Sequence, residues 1–286
     1  MFHVGTAALA CPPGNARQLF ATIEFMPRIA IPMPHSFDPE YAERAIPQYE
    51  RAVAQAGGEP VRVRLDQSAE EIIKLIEHCD GVLLPGSKAD VDPARFNAAR
   101  SPHAAAADPR RDAVDNLLLE DAYKSRKPVL GICYGLQSLN VYRKGSLIQH
   151  IPDFLPEETR AKINHEAGRS VAIAHAVEIE TGSRLAEIAA ADGRSPTSEA
   201  RRLIIVPVNS SHHQSADAIG DGLRVVARCP DDGIIEALEG TAPDHFVLAV
   251  QWHPERSVDQ DAARAIFRAL IEAAAKREQL RGQPIL

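Results

Sequence analysis

The sequence predicts an α/β fold: a mostly parallel central sheet flanked by helices, with antiparallel additions in the C-terminal half. Two observations carry this. From residue 28 to residue 143, short apolar runs alternate with amphipathic stretches. Strands separated by helices of that length pair in parallel, with helices over both faces. Later in the chain the runs are β-rich with few helical periods between them, which suits antiparallel pairing.

Residues 28–32 read as a first strand. Residues 38–56 have helical spacing, with Pro47 as an internal kink and Gly57-Gly58 as the stop. Residues 61–65 are a second strand and 68–78 a helix with Ser68 as N-cap. Residues 81–84 are a third strand, ended by Pro85-Gly86-Ser87. A polar loop rich in Ala, Asp and Pro leads to a helix over 111–126, a strand over 129–132 and a helix from Leu136 to Arg143. Strands are then expected over 171–180, 203–208, 223–228, 234–238 and 246–250, and an Ala-rich amphipathic helix over 259–277 closes the chain. No internal repeat or linker interrupts this, so residues 26–286 read as one domain. Residues 1–25 have no period and read as a loosely ordered extension ahead of Met26. Ala8-Leu9-Ala10-Cys11 is a faint echo of a lipoprotein cleavage site, but no Lys or Arg precedes it.

Composition narrows the function. The chain has 286 residues and is 45% hydrophobic and 25% charged, as soluble globular proteins are. Its net charge of -7 argues against broad nucleic-acid binding and against an anionic membrane surface. No apolar run approaches the roughly 20 residues of a membrane helix. Cys11, Cys79, Cys133 and Cys229 are scattered without a C-x-x-C pair, which suggests neither a zinc site nor a disulfide framework. A reducing cytoplasm is the simplest compartment, and no cofactor is expected. His212 and His213 would point to opposite faces of an extended segment, which argues against a shared metal.

Cys133 lies in Gly131-Ile132-Cys133-Tyr134-Gly135-Leu136-Gln137, where a strand hands over to a helix. A turn that tight needs small residues on either side and pushes its apex out at the carboxyl end of the strand, where open α/β sheets carry their sites. The free N–H groups of the following helix favour thiolate over thiol. A thiolate nucleophile also needs an oriented imidazole. Gln251-Trp252-His253-Pro254-Glu255 comes after the last strand, and residues two apart on an extended segment share a face. Glu255 can then hold one ring nitrogen of His253 and leave the other for sulfur. Leu84-Pro85-Gly86-Ser87 ends another strand and can present a backbone N–H to an oxyanion, with the Tyr134 N–H as second donor.

Together these motifs resemble the class I glutamine amidotransferase superfamily, whose fold is flavodoxin-like. More narrowly they are similar to its γ-glutamyl-γ-aminobutyrate hydrolase group of cysteine peptidases. Further stretches carry the narrower likeness: Asp90-Val91-Asp92-Pro93, Asp108-Pro109-Arg110-Arg111-Asp112, Val208-Asn209-Ser210-Ser211-His212-His213-Gln214 and Asp232-Gly233-Ile234-Ile235-Glu236-Ala237. The resemblance implies a γ-glutamyl amide hydrolase with a Cys133, His253, Glu255 triad and an oxyanion hole at the backbone of Ser87 and Tyr134. Gly86, Gln137, Ser211, His212 and His213 match substrate-lining positions. The partner implied is a small γ-glutamyl compound, with no nucleic acid and no membrane, and a homodimer is compatible with it. Two departures stand out. Position 134 is often Arg in close relatives and here is Tyr, whose side chain is expected to border the leaving amine. The stretch after the elbow helix reads Lys144-Gly145-Ser146-Leu147. Two other functions fit the motifs: a glutaminase subunit feeding ammonia to a synthase partner, and a non-catalytic relative.

A chain started at Met26 is expected to keep the full chain's stability, since residues 1–25 offer no face to bury. A melting temperature lowered by more than about 5 °C would show that the extension docks on the core.

Overall fold

Ile29, Ala30 and Ile31 point alternately to the two faces of the first strand, and that alternation divides the molecule into layers. In the computed structural model, which describes residues 25–191 and 203–281, β1 (Arg28–Pro32) leads into α1 (Pro39–Gln55). The Asp38 side chain caps α1 by accepting the Tyr41 N–H, and Pro47 lies inside the helix, which continues through it. Next come β2 (Glu59–Val63), α2 (Ala69–Ile76) and β3 (Gly81–Leu84). Ser68 and Glu71 form a reciprocal capping box on α2. The helix α3 (Pro109–Ser125), the strand β4 (Val129–Ile132) and the helix α4 (Tyr134–Tyr142) complete this half.

The second half begins with β5 (Leu147–Ile148) and two single-turn helices, α5 (Ile151–Phe154) and α6 (Glu157–Arg160). Beyond them lie β6 (His175–Glu180), α7 (Arg184–Ala191), β7 (Leu203–Val208), β8 (Ser215–Ala216) and β9 (Leu223–Arg228). The chain ends with β10 (Ile235–Gly240), β11 (Val247–Val250) and α8 (Asp261–Arg281). Nine strands form one sheet in the order β2-β1-β3-β4-β11-β10-β9-β6-β7, and β5 pairs with β8 apart from it. The contacts from β2 through β11 are parallel, and those from β11 through β7 are antiparallel.

The α/β class and its antiparallel C-terminal additions are therefore as the sequence predicts. Boundaries moved where pairing decides them: β2 begins at Glu59 because Arg28 pairs with Glu59 and Pro32 with Val63. The strand expected over 171–180 starts only at His175, and α4 starts at once after Cys133. The helix α7 is not among the sequence expectations, and the small β5–β8 pair and the single-turn helices are too short to show a period. The expectation for the N-terminal extension falls outside the described residues, except for Phe25.

One sheet face packs Ile29, Ile31, Leu83 and Leu248 against α1, α7 and α8 through Ile46, Leu185 and Phe267. The other packs Ala30, Val61, Val82 and Ala249 against α2, α3 and α4 through Ile72, Leu118 and Leu136. Beneath the loops at the strand ends lies one buried cation. Arg111 of α3 donates from Nε to Asp115 Oδ1 at 2.7 Å, from Nη1 to the Pro34 carbonyl at 3.1 Å and from Nη2 to the Pro85 carbonyl at 2.7 Å. Its guanidinium lies 4.8 Å from the centre of the Tyr134 ring. Arg111 thus ties together the ends of β1 and β3. Asp108 caps the same helix while accepting from the Ser36 backbone and hydroxyl.

Arg111→Met should cost about 3–5 kcal/mol, because Asp115 is left charged and buried without its partner. Adding Asp115→Leu should recover much of the loss. Chemical denaturation checks both, and a single-variant loss below about 1 kcal/mol would show that the clamp contributes little.

Candidate active site

Three strand ends meet at the carboxyl edge of the parallel half. In the sheet register Leu84 of β3 lies opposite Gly131 of β4, and Ile132 of β4 opposite Val250 of β11. This register brings together the segments just beyond the three strands: the Gly86 loop, Cys133 and His253.

Cys133 has φ 53° and ψ −106°, a region that costs a non-glycine residue on the order of 1–3 kcal/mol. The chain adopts it because α4 sits hard against the sheet. A Cβ on Gly135 would lie 2.2 Å from the Leu84 carbonyl oxygen, and one on Gly131 would lie 2.8 Å from the Gly135 oxygen. The two glycines that frame the cysteine are thus required by space. The Cys133 N–H bonds the Val250 carbonyl at 2.9 Å, which fixes the elbow to the strand that carries His253.

His253 places Nδ1 2.7 Å from Glu255 Oε1, and the ring and Cys133 are neighbours, both facing the Gly86 loop. All three residues are at least 94% buried. Burial pulls the imidazole pKa down, but the Glu255 charge and then Cys133 override it and lift it to about 9. Burial pushes Glu255 up, and His253 outweighs that, so its carboxyl ends below its usual range. The expected contact is made by an unexpected backbone: residues 254–256 form a 3₁₀ turn, so a tight turn and not strand alternation brings the two side chains together.

Other predicted residues are distributed unevenly. Gly86 lies against the pair, since a Cβ there would come 3.0 Å from His253 Cε1 and 3.6 Å from Cys133 Cβ. Ser87 is next in the chain, with its hydroxyl accepting the Ala89 N–H at 3.0 Å. Tyr134 opens α4, so its N–H has no acceptor within the helix. Its side chain, however, is 1% exposed, with the hydroxyl donating to Asp112 at 2.7 Å. The expectation that this ring borders the leaving amine is corrected: it fills the space under the residue 89–91 loop, beside Arg111. Gln137 is buried and donates to the Gln214 carbonyl at 3.2 Å and to Gln251 at 3.3 Å. Ser211 is nearly buried. His213 reaches Asp90 at 3.0 Å. His212 turns inward, between the Gln214 carbonyl and Glu236.

Two positioning residues are not evident from the sequence. Asn209 brackets His253, donating to its carbonyl at 2.9 Å and accepting its N–H at 3.0 Å. The Tyr49 hydroxyl accepts the Gly86 N–H at 3.1 Å. Asn209 lies inside the Val208-to-Gln214 motif and could have been suspected, whereas Tyr49 is one aromatic among several on α1.

Residues 31–255 match the Peptidase C26 family. A glutamine amidotransferase-like protein of Rickettsia prowazekii (strain Madrid E) is 30% identical over 270 residues, covering 82% of this chain and 90% of that one. The γ-glutamyl-γ-aminobutyrate hydrolase of Escherichia coli (strain K12) is 32% identical over 232 residues, covering 79% and 84%. Among solved structures, the glutaminase domain of Trypanosoma brucei CTPS with bound acivicin superposes with a TM-score of 0.52 at 18% identity, covering 88% and 94%. That last likeness speaks for the fold alone. None of the described helices is long and apolar enough to cross a membrane.

His253 should titrate near pH 9 in the folded protein, and Glu255→Gln should move that titration down, because it removes the charge that opposes burial. The raised imidazole pKa adds stability that is fully present below about pH 6.5 and is lost as pH rises through about 9. Ring-resonance titration by NMR checks this, and an unmoved midpoint in Glu255→Gln would remove Glu255 as the partner.

Proposed function

The chain belongs to the Peptidase C26 family, and on that footing we propose that it cleaves γ-glutamyl amide bonds through a Cys133 thioester. The broader activity, that of a hydrolase of the glutamine amidotransferase-like type, comes with the family and its relatives. The observation that carries the finer reading is the strained cysteine at a strand-to-helix elbow, beside an imidazole that a buried carboxylate holds at Nδ1.

In the first step Sγ of Cys133, its proton taken by His253, attacks the side-chain amide carbon. The carbonyl electron pair moves onto oxygen. The N–H of Tyr134 is suited to stabilise that charge, and so is the N–H of Ser87, since the Gly86 N–H is taken by Tyr49. Collapse of the tetrahedral centre breaks the C–N bond, and His253 passes its proton to the departing amine. Water then enters, gives a proton to His253 and attacks the thioester carbon. The second collapse returns the sulfur and releases glutamate. Glu255 keeps the ring oriented and stabilises its charged form throughout, while Asn209 fixes its backbone.

The test is a mass-spectrometric screen of γ-glutamyl amides with the purified chain alone. Wild type should release glutamate and the amine without a synthase partner, which separates a hydrolase from an ammonia-supplying subunit. Cys133→Ser should lose roughly a thousandfold or more in kcat/KM, and Glu255→Gln should lose less than His253→Ala. Activity within tenfold of wild type in Cys133→Ser, with the fold intact, would end the nucleophile assignment.

A further inference from the structure

Away from Cys133, three imidazoles and a carboxylate converge in the interior of the antiparallel half. They are His165 from the segment after α6, His175 at the start of β6, His212 between β7 and β8, and Glu236 of β10. All four are buried, and one ligand atom from each lies within 4.8 Å of the others. His165 Nδ1 is 3.1 Å from Glu236 Oε1, and His175 Nε2 and His212 Nε2 are each 3.4 Å from it.

The outward side of each ring decides what the inward side is. His175 Nδ1 faces the Ala176 carbonyl at 2.9 Å, and His212 Nδ1 faces the Gln214 carbonyl at 2.9 Å. A carbonyl only accepts, so both nitrogens carry their proton on that side. His165 Nε2 lies 2.7 Å from Asp232 Oδ2, which also accepts. In the neutral rings the three inward nitrogens are therefore lone pairs, and they all face a carboxylate oxygen. The three inward nitrogens and both Glu236 oxygens find no hydrogen-bond partner among the described residues. Acceptors pressed against acceptors inside a protein are repulsive unless a cation lies between them.

We propose that this cluster binds a divalent transition-metal ion of the zinc type, with His165, His175, His212 and Glu236 as its four ligands. The dimensions suit a tetrahedron. Ligand arms of about 2.0–2.2 Å give edges of about 3.3–3.6 Å, close to the separations around Glu236 Oε1. In a square-planar set one of the three nitrogens would lie across the ion at about 4 Å. Charge is compatible with an ion: a dication, Glu236 and the Asp232 carboxylate behind His165 sum to zero, as would two protonated rings with the two carboxylates. Each ligating ring has an outer acceptor that fixes its tautomer, as metal-binding histidines do. With every position filled by protein, the ion is structural. It would join four segments spread from residue 165 to residue 236, including the one from which Asn209 reaches His253. The scattered spacing hides this set from a sequence search, which is why no metal was expected.

The proposal is independent of the proposed reaction and is tested without it. Untagged full-length protein, purified without chelator, should carry close to one zinc or related ion per chain by inductively coupled plasma mass spectrometry. Stripping with dipicolinate should lower the melting temperature by about 5 °C or more, and Zn²⁺ but not Mg²⁺ should restore it. Cobalt(II) reconstitution should give the visible absorption of a tetrahedral nitrogen-oxygen site. His175→Ala and Glu236→Gln should each bind at least tenfold less metal and lose the melting response to Zn²⁺. If Glu236→Gln fails to fold, His175→Ala and the wild-type measurements decide. Wild type with no bound metal and no response to Zn²⁺ or Co²⁺ would overturn the proposal in favour of a protonated histidine cluster. Undiminished metal in His175→Ala would overturn it in favour of binding elsewhere.

Discussion

Much of this molecule depends on how closely α4 approaches the sheet. A Cβ on Gly135 would lie 2.2 Å from the Leu84 carbonyl oxygen, so helix and strand are in contact through bare backbone. That contact shortens the turn between β4 and α4 until the residue at its apex must take a positive φ. The strain is held by packing on every side and by the bond from the Cys133 N–H to Val250. The sulfur is presented at a fixed point, and the parallel register of β4 with β11 places His253 beside it.

Around that elbow, buried polar groups do the positioning that loops cannot do alone. Arg111 draws the Pro34 and Pro85 carbonyls toward α3, so that two strand ends share one anchor. Tyr49 holds Gly86, and Asn209 holds His253. Each contact is between segments far apart in sequence, and each acts on backbone. A site built in this way depends on those three buried side chains staying locked in place.

Legibility in the sequence tracked the range of the interaction. Strand and helix periods are local, and the parallel half could be read from them almost to the residue. The glycines at 131 and 135 and the Gln251-to-Glu255 stretch are also local, and they pointed to Cys133 and His253 as the proposed nucleophile and base. Tyr134 was misread because the direction of a side chain at a helix start depends on the phase of that helix over α3, which no local pattern encodes. Asp108 and Arg111 were visible as a motif, but only the structure shows that one caps and the other clamps.

The position of β11 has a consequence for biosynthesis. It is the last strand among the described residues, yet it lies between β4 and β10, parallel to one and antiparallel to the other. Until it inserts, the sheet exists as two unjoined pieces, with Cys133 on one and no imidazole at its side. A chain emerging from the ribosome N-terminus first therefore carries Cys133 through the synthesis of residues 134–252 without His253, its proposed partner. On the proposed mechanism, hydrolysis at this elbow waits for β11 to close the gap and bring His253 to Cys133.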